Sequence, residues 1–233
     1  MNRIKDSVKR EIVVNATLKV VWEAMTKPEH LNRWYTKNAE IDFRIGGKGF
    51  LNHGWGATSE GIYTKIEELR RFVLESVDQN FKTITSLEQV ENGIKVSIEY
   101  QSNFIEEMSE ANKENMLFGT IQFLENLKSV YETGIDNRSK MWRISIGITH
   151  ATNNEGAIGT KVLHVKKDSV AEAAGIRQGD SIQAIDQETI SGYETFERVL
   201  NKKAVNQLVT FTIERKHKKL TISCLADRYP VQY

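Results

Sequence analysis

At 233 residues the chain is longer than one average domain needs, and its 39% hydrophobic and 27% charged residues suit two cores rather than a disordered or membrane-embedded polypeptide. A net charge of +1 argues against nucleic acid as the main partner, and the single cysteine, Cys224, excludes an internal disulfide or a cysteine-rich zinc site. The N-terminus lacks the apolar stretch of a signal peptide and no run is long enough for a membrane span, so a cytoplasmic protein is expected.

Residues 10–15 read as a short strand. Thr17 has the chemistry of an N-cap, and Val20, Val21, Ala24 and Met25 follow on one helical face. Pro28 suits the first turn of a second short helix ending at Trp34. Alternation then predicts a strand with Ile41, Phe43 and Ile45 on one face. Further strands are expected around Ile62–Ile66 and residues 72–77. Asn92-Gly93 predicts a type I′ hairpin turn into a strand whose inner face is Ile94, Val96, Ile98 and Tyr100. From about 109 to 132 the period becomes helical, with Leu117, Ile121 and Leu124 in the stripe.

A polar stretch containing Gly134 follows, and the charge changes sign across it: −3 over residues 1–138 and +4 over 139–233. A boundary is therefore placed there, giving domains 1–136 and 137–233. The second is strand-rich, with strands expected at 143–151, 161–165, 181–185, 209–215 and 220–225. Val209, Phe211, Ile213, Leu220, Ile222 and Cys224 are expected to point inward, Cys224 as a small core residue. Ser169 can cap a short helix that ends at Gly175 in the left-handed C′ position, with Ile176 as its apolar contact.

The segments VWEAMTKPEHLNRWY (21–35), AEIDFRIGGKGF (39–50) and FLENLKSVYE (123–132) resemble the START-like, or SRPBCC, superfamily in its branch named after the activator of heat-shock protein 90 ATPase. The resemblance implies an α+β helix-grip fold, with a long helix across an antiparallel sheet. It also implies a cavity for a small apolar ligand. Candidate lining residues are Trp34, Phe43, His53, Trp55, Tyr63, Ile98, Tyr100, Met116 and Phe123, with His53, Tyr63 and Tyr100 as polar anchors. A plain packed core is the competing reading of the same residues.

The segments RISIGI (143–148), GTKVLHVKKDSVAEAAGIRQGDSI (159–182) and GYETFERVL (192–200) resemble a PDZ domain of the bacterial protease type. That resemblance implies capture of a C-terminal or extended peptide by strand addition beside residues 146–150. The implied peptide-binding residues are Arg143, Ile144, Ser145, Ile146, Gly147 and Ile148, with Phe196, Val199 and Leu200 on the facing helix. The loop at Ile144–Gly147 is expected to receive the peptide carboxylate. The chain's own tail, ending at Tyr233, is a candidate ligand for a neighbouring copy.

No nucleophile elbow, phosphate loop, dinucleotide fingerprint or histidine–carboxylate ligand spacing is present. The expectation is a non-enzymatic two-domain adaptor, with no cofactor, metal or catalytic residue. A chaperone ATPase modulator, and a small-molecule carrier or cyclase-like enzyme, stand as the alternatives. The basic run 215–219 reads as a solvated hairpin turn.

Overall fold

The computed structural model describes residues 7–102, 109–155 and 158–231. They form two units: residues 7–102 with 116–139, and residues 109–115 with 140–231. The division thus runs after Ser139, and the first turns of the long helix go with the second unit.

The first unit is a seven-stranded antiparallel sheet with three helices. Its strands are β1 (Ser7–Val14), β2 (Asn38–Ile41), β3 (Lys48–Gly54), β4 (Ala57–Glu67), β5 (Arg71–Glu75), β6 (Phe81–Val90) and β7 (Gly93–Ser102), in the order β1-β7-β6-β5-β4-β3-β2. The helices are α1 (Leu18–Thr26), α2 (Pro28–Trp34) and α3 (Glu110–Thr133). Thr17 caps α1 by accepting the Val20 N–H, and Pro28 starts α2, where a missing N–H costs nothing. The inner face of β7 is as expected: Ile94, Val96, Ile98 and Tyr100 are all buried.

Two local expectations are corrected. The alternating segment after Glu40 leaves the sheet at Ile41. Gly46 N–H and Gly47 C=O bond Tyr63 across a turn, and Ile45 is 65% exposed. The hairpin at Asn92 exists, but Val90 pairs with Gly93, so its turn residues are Glu91 and Asn92. Only Gly93 takes positive φ, at 134°, which excludes a type I′ turn.

Helix α3 buries Phe118, Phe123, Leu124, Leu127 and Val130, whereas Leu117 and Ile121 are only half-buried. Two polar residues lie among the buried ones, and both are satisfied. Thr120 meets the Tyr100 hydroxyl at 2.8 Å. Asn126 donates to the Trp34 carbonyl at 2.8 Å and accepts the Asn137 N–H at 2.7 Å. The segment read as a linker is held to the first unit. Arg138, 5% exposed, donates to the carbonyls of Thr36 and Asn32 and pairs with Asp136.

The second unit contains β8 (Ile144–Ser145), β9 (Ile148–Thr152), β10 (Thr160–Val165), α4 (Val170–Ala173), β11 (Ser181–Ile185), β12 (Glu188–Thr189), α5 (Tyr193–Asn201), β13 (Leu208–Arg215), β14 (Lys218–Leu225) and β15 (Asp227–Arg228). The main sheet runs β14-β13-β11-β10-β9, with β12 on β11, while β15 pairs β8 separately. The α4 turn follows expectation: Ser169 accepts the Glu172 N–H, Gly175 has φ 86°, and Ile176 is buried. The expected strand 143–151 is broken at 146–147, where Gly147 turns the chain with φ 81°.

Val209, Phe211 and Ile213 are fully buried, and Cys224 is buried, which pushes its thiol up to about 11. Leu220 departs from the inward pattern, being 36% exposed near the end of the β13–β14 hairpin. The basic run is only partly solvated. Its turn is Lys216-His217, and Arg215 folds back onto the buried Asp180 at 2.6 Å and the Gly175 carbonyl at 2.7 Å. Among the described residues no helix is long and apolar enough to cross a membrane. Among them, too, no group of three or more His, Cys, Asp and Glu could hold a metal ion.

Candidate functional site

In the second unit, β9 is the edge strand of its sheet and pairs only with β10 among the described residues. The Thr152 N–H points away from β10, since it donates to a Glu114 carboxylate oxygen at 2.8 Å. Strand alternation therefore turns the backbone groups of His150 and Ile148 to the same outer edge. The irregularity in this ladder lies between Val162 and His164 on β10, so the alternation along β9 is unbroken.

A groove of about 240 Å³ runs between β9 and α5. Of the candidate peptide-binding residues, Ile144, Ser145, Ile146, Ile148, Phe196 and Leu200 line it. Ile144, Ile146, Phe196 and Leu200 also belong to the buried core, as does Val199, which lies outside the groove lining. Arg143 is exposed; its N–H is accepted by Asn201 Oδ1 at 2.9 Å and its carbonyl receives the Tyr229 N–H.

The expected carboxylate loop divides in two. Ile144 and Ser145 are paired with β15, while Ile146, Gly147 and Ile148 make the turn into β9. The Gly147 N–H is accepted by the Ser145 hydroxyl at 3.1 Å. A carboxylate arriving there would displace this neutral acceptor with a charged one, a stronger partner for an N–H. A side chain is excluded at 147, because a Cβ would stand 2.4 Å from the Ser169 Cβ.

Sequence reasoning missed the polar wall of the groove. His150 is 3% exposed, with Nδ1 2.7 Å from the Thr160 hydroxyl and Nε2 2.9 Å from Glu197. Its ring stacks on Tyr193 at 4.5 Å and tilts against Phe196 at 4.3 Å. Tyr193 and Glu197 sit four apart on α5, a spacing that places both on one face. That spacing was visible in GYETFERVL, but their facing His150 was not.

In the first unit the candidate lining residues make three sets of contacts, and Tyr35 of the first is near enough to Tyr63 and Tyr100 of the other two to interact with them electrostatically. Trp34 is fully buried, donates to the Ala24 carbonyl at 2.9 Å and stacks on Tyr35 at 4.8 Å. Tyr35, absent from the expected set, joins His53 at 4.6 Å and Phe123 at 5.0 Å, and Trp55 lies 6.1 Å from Phe123. Phe43 and Tyr63 form a second group with Trp22 and Phe72. Tyr100 lies in a third, against Phe81 and Thr120, whose hydroxyl donates to the Met116 carbonyl. Ile98 is buried on β7.

His53 is 7% exposed, and its Nε2 lies 2.8 Å from the Ser59 hydroxyl. Its Nδ1 has no hydrogen-bond partner among the described residues. Burial pushes the imidazole down to about 4, against a smaller opposing effect of the Tyr35 backbone. Burial also raises the Tyr35, Tyr63 and Tyr100 hydroxyls. The His53 ring is therefore neutral, with a buried nitrogen lacking a well-formed hydrogen bond among aromatic faces. The expected C-terminal ligand ends in residues 232–233, which lie outside the described residues.

Residues 15–132 match the family model for Activator of Hsp90 ATPase homolog 1-like protein, and residues 144–225 match that for the PDZ domain. Among solved structures, the Aha1 dimer from Colwellia psychrerythraea is similar at 19% identity and a TM-score of 0.50, over 55% of this chain and 98% of its own. A protein of Nitrosomonas europaea matches at 13% identity and a TM-score of 0.48, over 55% and 95% of the two chains. At 19% identity the likeness to the Colwellia structure shows a shared fold alone. No curated protein matches the chain. Both modules are of protein- or ligand-binding kinds.

Proposed function

The chain belongs to the Activator of Hsp90 ATPase homolog 1-like protein family and carries a PDZ domain behind that module, and from this premise we propose a non-enzymatic adaptor that captures a polypeptide C-terminus by strand addition. The observation that carries this reading is the β9 edge, where the backbone groups of Ile148 and His150 face outward along a groove. A peptide running antiparallel to β9 satisfies them, and its alternate side chains enter between β9 and α5. The carboxylate meets the Ile146–Ile148 turn, and Phe196, Leu200 and Ile148 receive the last side chain. A screen of C-terminal sequences against the full chain tests this. The reading requires binders whose affinity falls at least tenfold when the carboxylate is amidated. Equal affinity for acid and amide forms would remove the carboxylate loop from the account.

A second reading concerns the first unit and rests on the unpartnered Nδ1 of His53. On this reading the unit holds a small apolar ligand through that atom. A thermal-shift screen of fatty acids and aromatic metabolites tests it: a stabilising compound should lose its effect in His53→Phe. Equal stabilisation of both proteins would place the compound elsewhere.

A further inference from the structure

The groove does not run the full length of β9. Residues 109–115 belong to the second unit, and Ala111, Asn112 and Asn115 line the groove. Glu114 grips a single residue twice: one carboxylate oxygen accepts the Thr152 N–H at 2.8 Å, and the other accepts the Thr152 hydroxyl. That hydroxyl in turn accepts the Tyr193 N–H at 3.0 Å, so the Thr152 side chain both donates and accepts within this cluster. Beside it, Asn115 Oδ1 accepts the Tyr193 hydroxyl at 3.0 Å. The third outward N–H of β9 is thus already bonded by the chain's own carboxylate.

This sets a length. Antiparallel pairing engages alternate residues of each strand. If the last residue of a peptide lies beside Ile148, the residue two before it lies beside His150, and the residue four before it would lie beside Thr152. We propose that Glu114 is a specificity-determining residue that ends the groove at Thr152, so that the site reads a carboxy-terminal tail of about four residues, counted in keeping with that alternation. This rests on the strand-addition reading and adds what that reading leaves open: how much of a partner is recognised, and by which residue the limit is imposed. A carboxylate suits the task, because charge makes it a stronger acceptor for the N–H than the peptide carbonyl that would replace it.

The test is a length series of one binding sequence, from three to eight residues with a fixed free C-terminus, against the full chain and Glu114→Ala. In the wild type, affinity should rise to four residues and then change by less than about twofold. In Glu114→Ala the eight-residue peptide should gain roughly three- to tenfold over the four-residue one, the worth of one or two recovered backbone bonds. Amide resonances of the wild type supply a readout that needs no variant. Ile148 and His150 should shift with every binding peptide, while Thr152 stays fixed whatever the length. A wild-type affinity that climbs fivefold or more between four and eight residues, with Thr152 shifting, overturns the limit and leaves strand addition standing. An Ala variant with the wild-type length profile overturns the role of Glu114. Failure of every peptide, in both proteins and at all lengths, overturns strand addition and this proposal with it.

Discussion

Acidification should weaken the first unit through His53. In the unfolded chain this imidazole titrates at its ordinary value of 6.5, and in the folded chain burial holds it to about 4. Between those values the unfolded state binds the proton and the folded state does not, so stability falls as pH falls through that window. Above 6.5 both states carry a neutral ring and the contribution is constant. The gap corresponds to on the order of 3 kcal/mol at full effect, near pH 4. Urea denaturation followed by tryptophan fluorescence reads this well, because Trp22, Trp34 and Trp55 lie in the first unit. His53→Gln keeps a partner for Ser59 and cannot titrate. The wild type should lose about 2 to 3 kcal/mol more than the variant between pH 7 and pH 4. Equal losses would refute the reasoning, as would an imidazole resonance of His53 titrating near its ordinary value.

Other substitutions bear on the same architecture. Arg138→Met removes the donors of the Thr36 and Asn32 carbonyls and should cost about 3 kcal/mol, read as a lowered thermal midpoint; an unchanged midpoint would show that the segment after α3 contributes nothing. Trp34→Phe leaves the Ala24 carbonyl without its indole donor and creates a small void, and a loss of about 2 kcal/mol in urea is expected. Gly147→Ala combines a left-handed φ with a clash against Ser169. It should destabilise the second unit by at least about 1 kcal/mol and abolish peptide binding in the same titration, whereas retained binding would dismiss the turn as a carboxylate site.

Much of this fold was legible because hydrophobic period and cap chemistry are local. Thr17, Pro28, Ser169 and Gly175 mark helix ends at the positions where the chain uses them, and β7 alternates as its residues dictate. The misjudged places are those where tertiary bonding overrides local pattern. Ile45 continues an alternation on paper, yet Gly46 and Gly47 bond Tyr63 and draw the chain out of the sheet. Glu91 and Asn92 turn the hairpin, one residue earlier than Asn-Gly suggests, because the pairing of β6 with β7 fixes the register. Arg215 looked solvated because its partner Asp180 is thirty-five residues away.

The candidate site shows the same division. Ile146, Ile148, Phe196 and Leu200 could be placed from strand and helix patterns. His150 with Glu197, and Glu114 with Thr152, join residues 47 and 38 positions apart, and no periodicity reports such pairs. Tyr35 adjoins His53 and Phe123 only because α2, β3 and α3 converge.

The central claim is that the outer edge of β9 accepts a foreign strand. Titrating the isotope-labelled full chain with a binding C-terminal peptide, and measuring amide exchange at Ile148 and His150, tests it most directly. Both amides should become protected by at least about tenfold when the peptide is bound, as new backbone hydrogen bonds require. Binding that leaves both exchange rates unchanged would contradict it.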